Sequence, residues 1–209
     1  MRYIFYLFLG CMMFLCGCYT IPSLKEKMPK GDNLVISPTE GHVLKIINNI
    51  KVADCNPLEI NCFDKQCSFS ELEPYIKDGS SLVIIFMKLY HKHVTVSPIA
   101  GEIRQIKHKP GMHRNVFLKD AYKSNEHNSI VIDGDITLTV IQIAGLVARR
   151  IVCDVSVGDS VGRGDKIGHI KLGSAVALLL PPECEIKVKE GDKVDTAKGI
   201  IATYPIVSE

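Results

Sequence analysis

Ser37-Pro38-Thr39-Glu40-Gly41-His42-Val43 returns later in the chain as Ser97-Pro98-Ile99-Ala100-Gly101-Glu102-Ile103. In each copy a proline fixes the backbone and a glycine relaxes it just before an apolar run, the pattern of a tight turn leading into a strand. A second echo accompanies the first: Gly158-Asp159-Ser160-Val161 returns as Gly191-Asp192-Lys193-Val194. Each Gly-Asp-x-Val unit reads as a hairpin turn.

Outward from these turns the chain reads as short strands separated by Gly, Pro, Asp and Asn. The clearest are Leu34 to Ile36, Gly41 to Ile47, Ser81 to Phe86, Gly101 to His108, Ser129 to Ile132, Ile136 to Ile143, Ile151 to Val155, Lys166 to Ile170 and Ala175 to Leu180. No segment beyond the N-terminus has the long 3.6-residue apolar period of a dominant helix. Asn115 to Glu126, with Phe117, Leu118 and Ala121, allows a short one. The predicted fold is β-dominated, mainly antiparallel with short helices, a flattened β-structure whose hairpin elements resemble those of biotinyl and lipoyl carrier domains. A length of 209 residues fits one such domain, expected over residues 34–209 after an N-terminal segment over 1–33.

The 25 Lys and Arg residues against 23 Asp and Glu give a net charge of +2, with no concentrated basic footprint for nucleic acid. Tyr3 to Tyr19 is continuously apolar or small, and its 17 residues sit at the lower limit of a membrane span. Two readings of this start stand side by side. Arg2 before the stretch and Lys25, Lys27 and Lys30 after it favour a retained anchor with a cytoplasmic body; Leu15-Cys16-Gly17-Cys18 resembles a lipoprotein cleavage box with Cys18 as the lipidated residue. Of the eight cysteines, only Cys55, Cys62, Cys67, Cys153 and Cys184 belong to the body, at spacings that match no zinc pattern. A disulfide within the Cys55 to Cys67 loop is expected only in an exported body.

Lys171-Leu172-Gly173-Ser174-Ala175-Val176 carries the chemistry. A serine between small residues ordinarily belongs to a strand or turn, and the hydrolase elbow Gly-x-Ser-x-Gly is missing here. A Gly-Ser bond nevertheless permits something else. Without a Cβ at Gly173 the Ser174 hydroxyl can reach the preceding carbonyl and convert the amide to an ester. β-Elimination then leaves dehydroalanine at position 174, and hydrolysis of that group gives a pyruvoyl. His93, in Tyr90-His91-Lys92-His93-Val94-Thr95, is the preferred base, and Glu40 in the echoed turn is the carboxylate to orient it, so that the three make a self-processing triad. Strand alternation would set His91 and His93 on one face, a pair that could also mark a metal site. No acidic or cysteine ligand lies at a supporting spacing, and no metal is assigned. The apolar run Gln142-Ile143-Ala144-Gly145-Leu146-Val147-Ala148 ends in Arg149-Arg150, where a guanidinium can face solvent or grip a phosphate.

These residues together resemble a phosphatidylserine decarboxylase, in particular the short prokaryotic, archaeal-type form. The likeness runs from Val35 to Ala202. It is strongest in the segment from Gln142 to Val152 and in Gly168-His169-Ile170-Lys171-Leu172-Gly173-Ser174, with support from Ile85-Phe86-Met87, His93-Val94, Pro98 with Gly101, and Asn125-Glu126-His127-Asn128. The resemblance implies an autocatalytic cut between Gly173 and Ser174, giving a β chain of residues 1–173 and an α chain of 36 residues that stay associated. It implies a pyruvoyl cofactor made from Ser174, with His93 in processing and proton transfer and the acidic triad member at Glu40. Arg149, Lys92 and His91 are the candidate substrate-binding groups. A membrane phospholipid is the implied substrate, a homo-oligomer is left open, and no nucleic acid is expected.

The chain departs from the family pattern at two places: Glu40 stands for the usual Asp, and Thr95-Val96 for the usual Asn-Arg after His-Val. The implied reaction joins the amine of phosphatidylserine to the pyruvoyl ketone as a Schiff base, releases CO₂ and returns phosphatidylethanolamine. Two rivals remain at this level. One is a pyruvoyl decarboxylase for another amine, since Thr95-Val96 alters the pocket edge; the other is a non-catalytic envelope or adaptor module of the same fold.

Overall fold

The computed structural model describes residues 28–51, 59–61, 66–68, 75–115, 124–146, 150–170 and 174–206. Their strands are β1 (Leu34–Ile36), β2 (Gly41–Ile50), β3 (Glu59–Asn61), β4 (Gln66–Ser68), β5 (Ser80–Met87), β6 (Val94–Val96), β7 (Gly101–Lys109), β8 (His127–Asp133), β9 (Thr137–Ile143), β10 (Ile151–Cys153), β11 (Ser160–Val161), β12 (Lys166–Ile170), β13 (Ser174–Leu180), β14 (Glu185–Ile186), β15 (Lys193–Val194) and β16 (Ile200–Thr203). The fold is β-dominated, as the turn spacing predicts, and helix is almost absent from the described residues. Most of the short helix expected between Asn115 and Glu126 falls on residues 116–123, outside them.

Eight strands form one curled antiparallel sheet in the order β11-β7-β8-β9-β13-β5-β2-β15. Two three-stranded sheets, β1-β16-β14 and β10-β12-β6, stand beside it. Along the central strand β13 side chains alternate between two cores. Val176, Leu178 and Leu180 enter the larger one with Ile85, Ile130, Val140, Ile167 and Ile201. Ala175, Ala177 and Leu179 enter the second with Leu82, Ile84 and Ile141. Burial on both faces is why this antiparallel strand reads as an unbroken apolar run and not as an alternation.

The echoed sequences are echoed in space. Ser37 Oγ donates to Thr39 O at 2.7 Å and Ser97 Oγ to Ile99 O at 2.6 Å, closing the same turn twice. Ile36 N–H donates to Pro98 O and Val96 N–H to Pro38 O, so the two turns hold each other. In the Gly-Asp units, Asp159 N–H donates to Ser156 O and Asp192 N–H to Lys189 O, while the two carboxylates accept Ser156 N–H at 2.7 Å and Lys189 N–H at 2.9 Å. The preceding glycines, Gly158 and Gly191, lie at φ 92° and 91°, which favours glycine at that turn position. Each turn feeds a two-residue strand that pairs with an echoed strand far away, β11 with β7 and β15 with β2. The hairpins expected of these units are thus turns that close on a distant partner.

The loop after β5 corrects a second expectation. β5 ends at Met87, and residues 88–93 lead to β6. Lys88 N–H donates to His91 Nδ1 at 3.1 Å while His91 N–H donates to Lys88 O at 3.0 Å, a reciprocal closure that turns the chain out of the sheet. His91 and His93 sit on this loop, so strand alternation does not govern which way they face.

No helix of the described residues is long and apolar enough to cross a membrane. Tyr3 to Tyr19, Cys18, Cys55 and Cys62 lie outside those residues; Cys153 and Cys184 are free thiols.

The start of β7 is crowded in a way that only glycine tolerates. A Cβ at Gly101 would lie 2.5 Å from Asp133 O. Gly101→Ala is expected to cost about 1–3 kcal/mol, read as a lowered urea midpoint with an unchanged slope.

Candidate active site

Ser174 opens β13. Its neighbours across the ladder are Met87 on β5 and, one residue on, Ile143 of β9 beside Ala175. The side chain is fully buried, and its Oγ has no hydrogen-bond partner among the described residues. The hydroxyls of Ser129, Thr139 and Thr196 are buried in the same state, so what sets Ser174 apart is its place at the first position of β13, directly after Gly173 in sequence.

Three segments converge on this position. Thr39 Oγ1 donates to Met87 Sδ at 2.8 Å, which ties the turn carrying Glu40 to the residue paired with Ser174. The loop carrying His93 is tied in from the other side, because Ile170 N–H donates to His93 O at 3.0 Å four residues before Ser174. Glu40 reaches into the same loop, accepting Lys92 N–H at 3.4 Å. The mutual bonding of the two Ser-Pro turns thus brings the Glu40 turn beside the chain that leaves His93.

His93 is buried, and desolvation lowers its pKa below the ordinary 6.5; the hydrogen bond to the His91 backbone opposes that, the charge of His91 adds to it and the charge of Glu40 opposes it. The imidazole is therefore held neutral at pH 7, the form that can accept a proton. Burial likewise lowers the pKa of His91, against Glu40 and with His42, Lys88 and Lys193. His91 stacks on His42 with ring centroids 5.5 Å apart and planes 24° apart. Its Nδ1 accepts from Lys88 N–H, so the neutral ring carries its proton on Nε2. His42 of β2, Lys88 of the loop and Lys193 of β15 thus act together on His91, with the Glu40 carboxylate opposing them.

A buried polar chain lies beneath the loop. Asn128 Nδ2 donates to Gln142 Oε1 at 3.2 Å, and Gln142 Nε2 donates to Thr95 Oγ1 at 3.1 Å. Gly168 makes room for it, since a Cβ there would lie 2.9 Å from Gln142 Nε2. Thr95 at a position where the family pattern has Asn therefore anchors β6, two residues beyond His93, to the central sheet. Asn125 performs a similar task at the sheet end, donating to Ala144 O and Arg114 O and accepting Arg114 N–H.

Of the residues singled out from sequence, Ser174, His93, Glu40, His91 and Lys92 share this end of the sheet. Gly173 and Arg149 lie outside the described residues. His42, Asn125, Asn128 and Gln142 were given no role from sequence. A polar residue inside an apolar strand, as Gln142 is in β9, was the available signal for the last; for His42 there was none.

The family model for phosphatidylserine decarboxylase matches residues 17–202. The chain belongs to the phosphatidylserine decarboxylase family. Among its relatives is a protein of Methanocaldococcus jannaschii assigned as an archaetidylserine decarboxylase proenzyme, 35% identical over 92% of this chain and 91% of that one. A phosphatidylserine decarboxylase proenzyme of Syntrophus aciditrophicus is 31% identical over 94% of this chain and 82% of its own length. One from Burkholderia mallei is 36% identical over 64% and 62%. This decarboxylase family is one of proenzymes by those names, which accords with a serine whose hydroxyl is buried and uncommitted.

Gln142→Leu is expected to leave Thr95 and Asn128 without their shared partner and to lower stability by about 1–3 kcal/mol. Thr95→Val, which removes only the hydroxyl, should retain the Asn128 bond alone and cost less; urea unfolding of both variants tests the assignment.

Proposed function

We propose that this chain cuts itself between Gly173 and Ser174 and then decarboxylates phosphatidylserine to phosphatidylethanolamine at the new terminus. The observation that carries the reading is the buried, unbonded Ser174 Oγ beside a loop with a neutral histidine and a turn with a carboxylate. In self-processing, His93 takes the Ser174 hydroxyl proton as the oxygen attacks the Gly173 carbonyl, and the amide nitrogen leaves as an amine on residue 174. Loss of the Ser174 α-proton then expels the Gly173 carboxylate. The dehydroalanine left behind takes up water and releases ammonia, which leaves the ketone. Glu40 holds His93 in the basic orientation and balances the imidazolium that forms.

The residues present fit a pyruvoyl at position 174: the site is buried, and no hydrogen bond to a described residue would be lost on removing the hydroxyl. That group supplies an electron sink for loss of CO₂. Around it, His93 holds and returns a proton, Lys92 and His91 meet the phosphate or carboxylate of the headgroup, and Arg149 is assigned to the same task. Archaetidylserine and phosphatidylserine share a serine headgroup, so this recognition serves either lipid.

The two chains stay together without a covalent link. All seven residues of β13 pair with β5 and five of them with β9, while β15 and β16 pair with β2 and β1. We place the body on the cytoplasmic face, tethered through Tyr3 to Tyr19; a lipid on Cys18 would replace that tether in an exported form.

Ser174→Ala is expected to remain one chain by intact mass, and Glu40→Gln to slow splitting on the order of 100-fold while Glu40→Asp retains it. Two normal fragments from Ser174→Ala would remove Ser174 from the mechanism.

The pH dependence follows from His93. Its folded pKa is lowered, so its contribution to stability is present above the unfolded value of 6.5 and is lost as pH falls from there toward the folded value. The rate of splitting should accordingly hold at pH 6.5 and decline only below it; a decline centred above 6.5 would exclude His93 as the base.

A further inference from the structure

Six large apolar side chains stand out into solvent among the described residues: Leu89, Tyr90, Met112, Leu146, Val157 and Ile206. The ladder places four of them at one end of the sheet. Leu89 and Tyr90 follow Met87, which pairs with Ser174; Leu146 follows Ile143, which pairs with Ala175; Met112 lies just beyond Lys109, which pairs with His127. These four are 48%, 74%, 60% and 53% exposed, in the order Leu89, Tyr90, Leu146, Met112. The other two are remote. Val157 precedes Gly158, which bonds Ile103 near the start of β7, and Ile206 follows Tyr204, whose hydroxyl donates to Asp135 in the β8–β9 turn.

Charge divides the molecule along the same axis. Lys88, Arg114 and Arg150 are exposed at the Ser174 end, with Lys92 and Lys109 half-buried. The ammonium of Lys88 lies 5.9 Å from the centre of the Tyr90 ring. Of the carboxylates described there, Glu126 bonds His108 at 2.9 Å and His113 at 3.0 Å, Glu40 accepts Lys92 N–H and Asp192 accepts Lys189 N–H, while Asp195 beyond β15 is exposed beside Lys193 and Lys198. At the far end stand Asp78, Glu102, Asp133, Asp135, Asp159 and Glu183, with Arg104 bonded to two of them and Lys51, Lys77 and Arg163 nearby. A net charge of +2 conceals this separation.

The geometry points to the Ser174 end of the sheet as a docking face for an anionic bilayer, with Leu89, Tyr90, Leu146 and Met112 set among the headgroups and Lys88, Arg114 and Arg150 on the lipid phosphates. This rests on the reading that the substrate is a lipid. Aromatic and aliphatic side chains ringed by long cations are the composition that partitions into the interfacial layer. Each cation at an anionic surface adds about fivefold to the partition. Such docking presents the serine headgroup to His93 and Ser174 without drawing the acyl chains through water, and the acidic far end is held away from the anionic surface.

The chain contains no tryptophan, so single reporters can be introduced into the full-length protein. Tyr90→Trp, Leu146→Trp, Val157→Trp and Ile206→Trp are reconstituted into phosphatidylglycerol vesicles carrying phosphatidylcholine brominated near the glycerol end of its acyl chains. Fluorescence at positions 90 and 146 should fall by more than half, and at 157 and 206 by less than a tenth. Equal quenching at all four positions, or none at 90 and 146, overturns the proposal. Reversing Lys88, Arg114 and Arg150 to Glu in the Tyr90→Trp chain should halve the quenching, and unchanged quenching overturns the electrostatic part. Shielding of position 90 from iodide that grows with protein concentration in lipid-free detergent would identify the face as a contact between copies and overturn the bilayer assignment. Intact mass on the same samples scores splitting after Gly173, so docking without splitting, or splitting without docking, tells the failure of one reading from that of the other.

Discussion

Strand β13 is the constraint on which the structure depends. It lies in the middle of the eight-stranded sheet, bonded on both edges and buried on both faces, and its first residue is the buried serine. A strand so enclosed cannot shift by one residue, because that slip would exchange every side chain between two apolar cores of different shape. The position of Ser174 is fixed to the same tolerance as the core. The cut proposed immediately before this strand would remove one peptide link and none of the described ladder, so the fold would keep its shape through maturation.

The duplicated turns supply the rest of the frame. Both Ser-Pro turns close in the same way and bond to each other, and each is matched by one Gly-Asp turn. Their strands enter the sheet from opposite ends, since the start of β2 lies beside Met87 whereas the start of β7 lies beside Asp133. Chemistry belongs to one copy only. The turn at the Ser174 end carries Glu40, and the corresponding residue at the far end is Ala100. The echoed turns supply the scaffold, and Glu40 is the carboxylate on which the proposed chemistry draws.

Much of this was legible in the sequence because turns are local. Prolines, glycines and Gly-Asp pairs bound the strands to within a few residues, and β1 and β12 fall on the predicted limits. Failures came where distance in sequence intervened. The loop from Lys88 to His93 reads as a continuation of β5, since its closure rests on a ring nitrogen of His91 accepting from the backbone three residues earlier. β6, β11, β14, β15 and β16 are too short to carry a period of their own; pairing partners far away in the chain define them. The polar chain from Asn128 through Gln142 to Thr95 crosses three strands and leaves no spacing to detect.

By itself the sequence determined the strand-rich class, the echoed turns and the family likeness, because turn chemistry and short motifs are properties of a residue and its immediate neighbours. Tertiary structure alone decided that Ser174 is buried with a hydroxyl that no described residue bonds, that burial lowers the pKa of His93, and that exposed apolar side chains and cations collect at one end. Those are properties of desolvation and of the sum of charges in space. They arise only when segments distant in the chain exclude water together.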